Sequence, residues 1–267
     1  MLAHQQKTNF SHLFALMPQA KPQTHDLVDR LMLQTDLEHP NELELRRIEQ
    51  ELQKLKHHHD RDVAAEAYLL IGAIHLLHGR DKEGMNMCDQ ALRISPIREL
   101  RSNYSGFLSR RFYFAKAFEL ADDLVSKYPD DLEIIEAGCE LAVMTLQLDR
   151  LDDYTEILQR LKSEIKTRAP KNQEFWKIFR SRFQERTGSL RTVLELIEVA
   201  GSVARKNHRI HQATSIDITE DGEVVILYCV DASPESAAET NAQIADAIVS
   251  QFDDPMVDLI SIGCMTH

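Results

Sequence analysis

The sequence is short of turn-formers, of paired thiols and of long apolar runs. Nine Gly and eight Pro in 267 residues leave few breaks, which favours long helices joined by short turns. The four cysteines, Cys88, Cys139, Cys229 and Cys264, stand far apart and form no Cys-x-x-Cys. That spacing excludes a disulfide framework and points to a reducing compartment, with the thiols serving as small core residues. No stretch approaches the roughly 20 apolar residues of a membrane span. The apolar run from Leu13 to Met17 is too short for the core of a secretory signal, so the reading is a cytoplasmic protein. Bases are outnumbered, 31 Lys+Arg to 43 Asp+Glu, which argues against a dedicated DNA-binding protein. No nucleophile elbow, phosphate loop or His-Glu-x-x-His is present. A protein without catalytic activity and without a cofactor is therefore expected.

What is present is helical periodicity. Residues 1–23 read as a polar leader. Thr24 is placed to cap a helix carrying Leu27, Val28, Leu31 and Met32, and a second helix repeats Leu45, Ile48, Leu52 and Leu55 every three or four residues. His57, His58 and His59 follow. Consecutive helical residues point in different directions and cannot share one ion, so the three read as a polar helix end.

The stretch from Ala64 to Pro96 carries a more specific pattern. Tyr68 opens it, Ile71-Gly72 and His75 follow at fixed offsets, then Gly84, Cys88 and Ala91 alternate small and bulky slots, and Pro96 closes it. This resembles a tetratricopeptide repeat, a 34-residue pair of helices. The resemblance implies a mainly α fold, an α-solenoid of helical hairpins over 24–205, with units at about 64–97, 98–130, 131–170 and 172–205. In the later units Ala117, Ala121 and Leu124, then Tyr154, Ile157 and Leu158, then Trp176, Phe179, Phe183, Thr192, Leu196 and Val199 fill the slots, with Arg180 in the usual glycine place.

The resemblance also implies a scaffold or adaptor whose first helices line a groove for a partner peptide or helix. The groove residues would be Leu69, Ala73, Leu76 and Leu77 from the first unit, Cys139, Val143 and Leu146 from the third, and Lys177, Ser181 and Gln184 from the fourth. The competing reading has the apolar residues covered by the N-terminal helices. Leu69 and Ala73 stand where relatives that grip acidic chaperone tails place a Lys and Asn clamp, so no such tail is expected as partner.

After Gly201 the period changes to two. Ile216 and Ile218 alternate, Asp221-Gly222 signals a hairpin, and Val224 to Val230 is a continuous β-branched run. Ser233 and Pro234 begin a helix, and Val257 to Ile262 reads as a last strand. Residues 206–267 are thus a small β-β-α-β domain. Alternate side chains of the strand at 224–230 are apolar on both faces, so a cover is required, either the chain's own last repeat or a second copy as a homodimer.

Two alternatives are carried forward. His208, His211, Cys264 and His267 would suit zinc if the first and last strands of the tail were neighbours. That would leave a metal site, or an enzyme using a tail cysteine. Between Arg160 and His211 there are 13 Lys+Arg against 5 Asp+Glu, interleaved with Phe175, Trp176, Phe179 and Phe183, a pattern seen on nucleic-acid surfaces.

Overall fold

The computed structural model describes residues 7–9, 22–35, 40–161, 179–183, 190–208 and 211–266. The chain is mainly helical with one small sheet, and its contacts divide it into two compact units, residues 11–111 and residues 1–10 with 112–267. The division falls at 111/112 and not at 205/206, because the tail shares a unit with the helices that precede it.

The first unit holds α1 (His25–Thr35), α2 (Glu42–Leu55), α3 (Arg61–Leu77), α4 (Asp81–Ile94) and α5 (Arg98–Arg110). Asn41 caps α2 by accepting from the amides of Leu43 and Glu44, and Asp60 caps α3 by accepting from Asp62. Of the expected stripe, Leu45, Ile48 and Leu52 are buried, while Leu55 at the end of the helix is half-exposed. Helix α3 is apolar nearly all round and is buried accordingly, with α2, α4 and α5 packed on it. Two contacts tie its start to the end of α4: Ser95 Oγ donates to Asp62 Oδ1 at 2.7 Å, and Arg61 Nη2 donates to the Ile94 carbonyl at 2.7 Å. The small slots lie at the helix crossing. A Cβ on Gly72 would stand 2.5 Å from Cys88 Sγ and 2.8 Å from the Gly84 carbonyl.

The second unit holds α6 (Phe114–Lys127), α7 (Leu132–Met144), α8 (Leu148–Arg160), a short helical stretch at 179–183, and α9 (Leu190–Asn207). Strands β2 (His211–Ile218) and β3 (Val224–Val230), helix α10 (Pro234–Gln251) and strand β4 (Ile260–Met265) complete the expected β-β-α-β order. Asp131 caps α7 through Ile134 N, and Ser233 caps α10 through Ser236 N. The polar leader, however, contributes a strand. Lys7–Asn9 forms β1, antiparallel to β2 with Thr8 opposite Thr214, so the sheet runs β1-β2-β3-β4. Main-chain pairing at a free sheet edge needs no apolar side chains, and polarity alone therefore hid it. In α9 the buried residues are Val193, Leu196, Ile197, Ala200, Gly201, Val203 and Ala204, whereas Thr192 and Val199, expected inside, are half-exposed.

The turn between helices recurs. At the end of α3, Gly79 takes φ +70°, and the amides of Gly79 and Arg80 donate to Leu76 O and His75 O. At the end of α7, Leu146 takes φ +53°, and Leu146 N and Gln147 N donate to Val143 O and Ala142 O. Both are Schellman closures. Between them, Phe112 takes φ +61° after α5. The steps are 33 residues from Gly79 to Phe112 and 34 from Phe112 to Leu146.

Candidate partner-binding surface

The groove residues expected from the first repeat are interior. Leu69, Ala73, Leu76 and Leu77 are all buried on α3, on which α2, α4 and α5 pack, and Leu76 lies against Gly84 of α4. Across the α2–α3 contact His78 Nε2 lies 2.8 Å from Glu42 Oε2, and His75 Nε2 lies 3.6 Å from Glu49 Oε1. Burial holds His75 below the ordinary imidazole range, with Arg80 acting in the same direction.

The helix expected to open the third unit, α7, presents more. On α7, Cys139 and Val143 are half-exposed, Leu132 is 39% exposed, and Glu133 and Glu136 are exposed. Residues 132, 136, 139 and 143 recur at the spacing of one helix face. Leu132 and Glu136 were not picked out from the sequence; the same three- and four-residue steps back from Val143 would have found them. Leu146 does not join this face. The helix ends at Met144, and Leu146 turns inward in its left-handed conformation and is fully buried. Of the fourth-repeat residues, Ser181 is exposed, while Lys177 and Gln184 lie outside the described residues. Arg180, in the expected glycine slot, is half-buried and pairs with Asp152 at 2.8 Å.

The surroundings of α7 are acidic. From Phe112 to Leu161 there are 12 Asp+Glu against 4 Lys+Arg, so an incoming segment with basic flanks is favoured there. Behind the face, Gly138 lets α7 approach Val125 and Tyr154, and the Tyr154 hydroxyl donates to Asp122 at 2.5 Å. Burial, then the neighbouring Glu136 and Glu140, push the Cys139 thiol up to about 12. That direction is the opposite of the lowered pKa that activates a thiol.

The other candidates fare differently. The zinc constellation required β2 and β4 to be neighbours, but β3 lies between them: His211 pairs with Val230, and Cys264 pairs with Tyr228 on the opposite side. Two strand spacings, roughly 9–10 Å, separate the two strands at that level, too far for a common tetrahedral ion. His208 is buried with Nε2 2.9 Å from Thr240 Oγ1, and burial lowers its pKa; His267 lies outside the described residues. Among the described residues no group of three or more His, Cys, Asp or Glu could hold a metal. The Cys264 thiol is pushed up to about 12, by burial first and then by Cys229. Phe179 and Phe183 are buried and stacked on each other at 5.8 Å, which withdraws them from any nucleic-acid surface; Phe175 and Trp176 lie outside the described residues.

Sequence reading missed the cluster that docks the sheet. Tyr228 on β3 stacks on Phe114 at 5.2 Å and meets Phe112 edge-on at 5.5 Å. Arg205 on α9 donates to the Phe112 carbonyl, lies 3.8 Å above the Tyr113 ring, and is 3.8 Å from Glu198. The expected docking of the tail on the last repeat is met in part, by α9 against α10 and β4. The short stretch at 179–183 also takes part, since Arg182 donates to the carbonyls of Asp221 and Asp258. No protein-family model, no curated protein and no solved structure matches the chain.

Proposed function

We infer that the chain is a non-enzymatic adaptor or regulator, a tetratricopeptide-like array that holds a protein partner. The observation that carries this is the left-handed turn recurring at Gly79, Phe112 and Leu146 in steps of 33 and 34 residues. That period belongs to helical hairpins stacked to bury one another's faces, and such arrays serve as binding surfaces. The partner segment lies along α7, over Leu132, Glu136, Cys139 and Val143, and is a helix or an extended peptide with apolar anchors and basic flanks. The four cysteines, none of them in a disulfide, agree with a cytoplasmic setting. No helix among the described residues is long and apolar enough to cross a membrane.

A photo-crosslinking residue at Glu136 of the full-length chain tests this in native lysate. One discrete adduct is expected, and Val143→Glu should suppress it. A crosslinker at Val249, which is 61% exposed on α10, supplies the control. The same adducts from both positions would mean general stickiness and would remove α7 as the binding surface.

A further inference from the structure

Two histidines of the first unit meet α2 in an arrangement fitted to the neutral ring. His75 lies in the last turn of α3, and His78 caps that helix. Glu42 and Glu49 of α2 face them, with His78 Nε2 2.8 Å from Glu42 Oε2 and His75 Nε2 3.6 Å from Glu49 Oε1. On its other side the His78 ring meets Arg80, whose Nη2 is 3.1 Å from Nδ1. A guanidinium only donates, so His78 Nδ1 accepts, and the ring hydrogen sits on Nε2 and is donated to Glu42. A second proton on Nδ1 would point at the guanidinium and break that bond.

At His75 the constraint is burial. The side chain is 13% exposed, and its Nδ1 is buried with no hydrogen-bond partner among the described residues. A proton there would make Nδ1 a buried donor without an acceptor. The charges facing the ring are Glu49 from α2, Arg80 and Glu83 from the start of α4, and His78 from the end of its own helix. The third helix against α3, α5, ends at Arg111, whose charge is met by Asp81 at 3.1 Å. Burial and then Arg80 outweigh the attraction of Glu49 and Glu83, so the ring takes its proton below the ordinary imidazole range. Acid therefore favours any state that frees the ring. The stabilisation from this contact is full above the free-imidazole range. It falls as pH drops through that range and levels off once the folded ring is charged as well.

We propose that the α2–α3 contact is a pH-sensitive joint: protonation of His75, with loss of the His78–Arg80 bond, releases the Glu42 end of α2 from α3, while α3 and α4 stay packed. The neighbouring contacts are fastened independently of the two rings. Arg30 ties α1 to α2 through Glu44 at 2.7 Å and Glu51 at 3.1 Å, so these two helices are expected to move as a pair. Thr24 at the start of α1 donates to Glu66 on α3 and keeps that end attached. The close crossing at Gly72, Gly84 and Cys88 holds α3 to α4. The joint lies in the first unit and does not depend on the reading given for α7.

Amide exchange of the full-length chain tests this, read by mass spectrometry at about pH 7.5 and about pH 5.5 and corrected for the intrinsic pH dependence of exchange. Peptides from 42–49 are expected to exchange several times faster at the lower pH, while peptides from 63–74 and 84–94 keep their protection. His75→Gln should remove the acid response. Arg80→Gln, at an exposed position, should weaken it, because His75 then charges more readily inside the closed joint. Val143→Glu on α7 should leave it unchanged. Unaltered exchange at 42–49 would overturn the proposal, as would a response that survives His75→Gln. Equal loss of protection across α2, α3 and α4 would mean general acid destabilisation and overturn it as well. If His75→Gln does not fold, imidazole NMR of the unaltered chain decides. Titration of His75 below the ordinary imidazole range, in step with faster exchange at 42–49, would uphold the joint, and titration at or above that range would overturn it.

Discussion

Gly72 and Gly79 are seven residues apart and are needed for opposite reasons. At Gly72 the constraint is space, since an added Cβ meets Cys88 Sγ and the Gly84 carbonyl inside normal contact distance. At Gly79 there is room, with Arg111 Nη2 4.0 Å away, but φ is +70°. Gly72→Ala should therefore force α3 and α4 apart and destabilise by about 1–3 kcal/mol. Gly79→Ala should cost about 1–2 kcal/mol through the backbone alone. Adding Cys88→Ala distinguishes the two by urea denaturation. It removes one of the two clashing atoms and should recover part of the Gly72→Ala loss, while the Gly79→Ala loss simply adds to its own effect. Equal behaviour in both backgrounds would mean that the crossing is looser than these distances require. The same contrast explains what was legible. Gly72, Gly84 and Ala91 can be read from sequence because a close crossing admits only small residues. Phe112 and Leu146 cannot, because their left-handed turns are filled by residues that usually avoid that conformation.

Helix α6 has no cap of its own, since Tyr113 at its N-cap offers no side-chain hydrogen bond. The missing acceptor comes from α9, where Glu198 Oε1 accepts from Ala115 N at 2.9 Å. A cap supplied 83 residues away leaves no local trace, so the start of α6 was readable only from its apolar period. Glu198→Ala should cost about 1 kcal/mol, as the loss of a cap does. Its charge has a separate effect. Burial raises the Glu198 pKa above the ordinary carboxylate value, against the Ala115 amide and Arg205, which lower it. As pH rises through the interval between the unfolded and folded values, the unfolded chain has lost its proton while the folded chain still holds it. Stability therefore falls with rising pH across that interval and is flat above it. Glu198→Gln keeps the acceptor and removes the titration. Denaturation midpoints from pH 4 to 7 should fall less for this variant than for the unaltered chain, and parallel curves would show that Glu198 ionises freely in the fold.

At the scale of the whole chain, the sequence placed a domain boundary where the period changes from helix to strand, near residue 206. The change in secondary structure is real, but it does not divide the fold. In β3, Val224, Ile226, Tyr228 and Val230 point one way and are all buried, and Tyr228 is packed against Phe112 and Phe114 from the start of α6. On the other face Cys229 is buried, while Val225 and Leu227 are only half-covered. The expectation that both faces need a cover thus holds fully for one face and partly for the other. β1, α6 and α9 all contribute to the sheet's surroundings, and all lie before the presumed boundary. Residues 206–267 expressed alone would leave Tyr228 without Phe112 and Phe114. Burying a large side chain of this kind is worth roughly 1.5–3 kcal/mol each, and a fragment of this size has little stability to spare. The isolated tail should therefore aggregate or stay unfolded. Co-expression with residues 1–205 should keep it soluble as a one-to-one complex, because the cover is then restored without the covalent link. Size-exclusion chromatography with light scattering and amide exchange read both results. A monomeric tail with protected β3 amides in the absence of residues 1–205 would place the boundary back at 206 and show that the aromatic cluster is an accessory to the sheet and not its support.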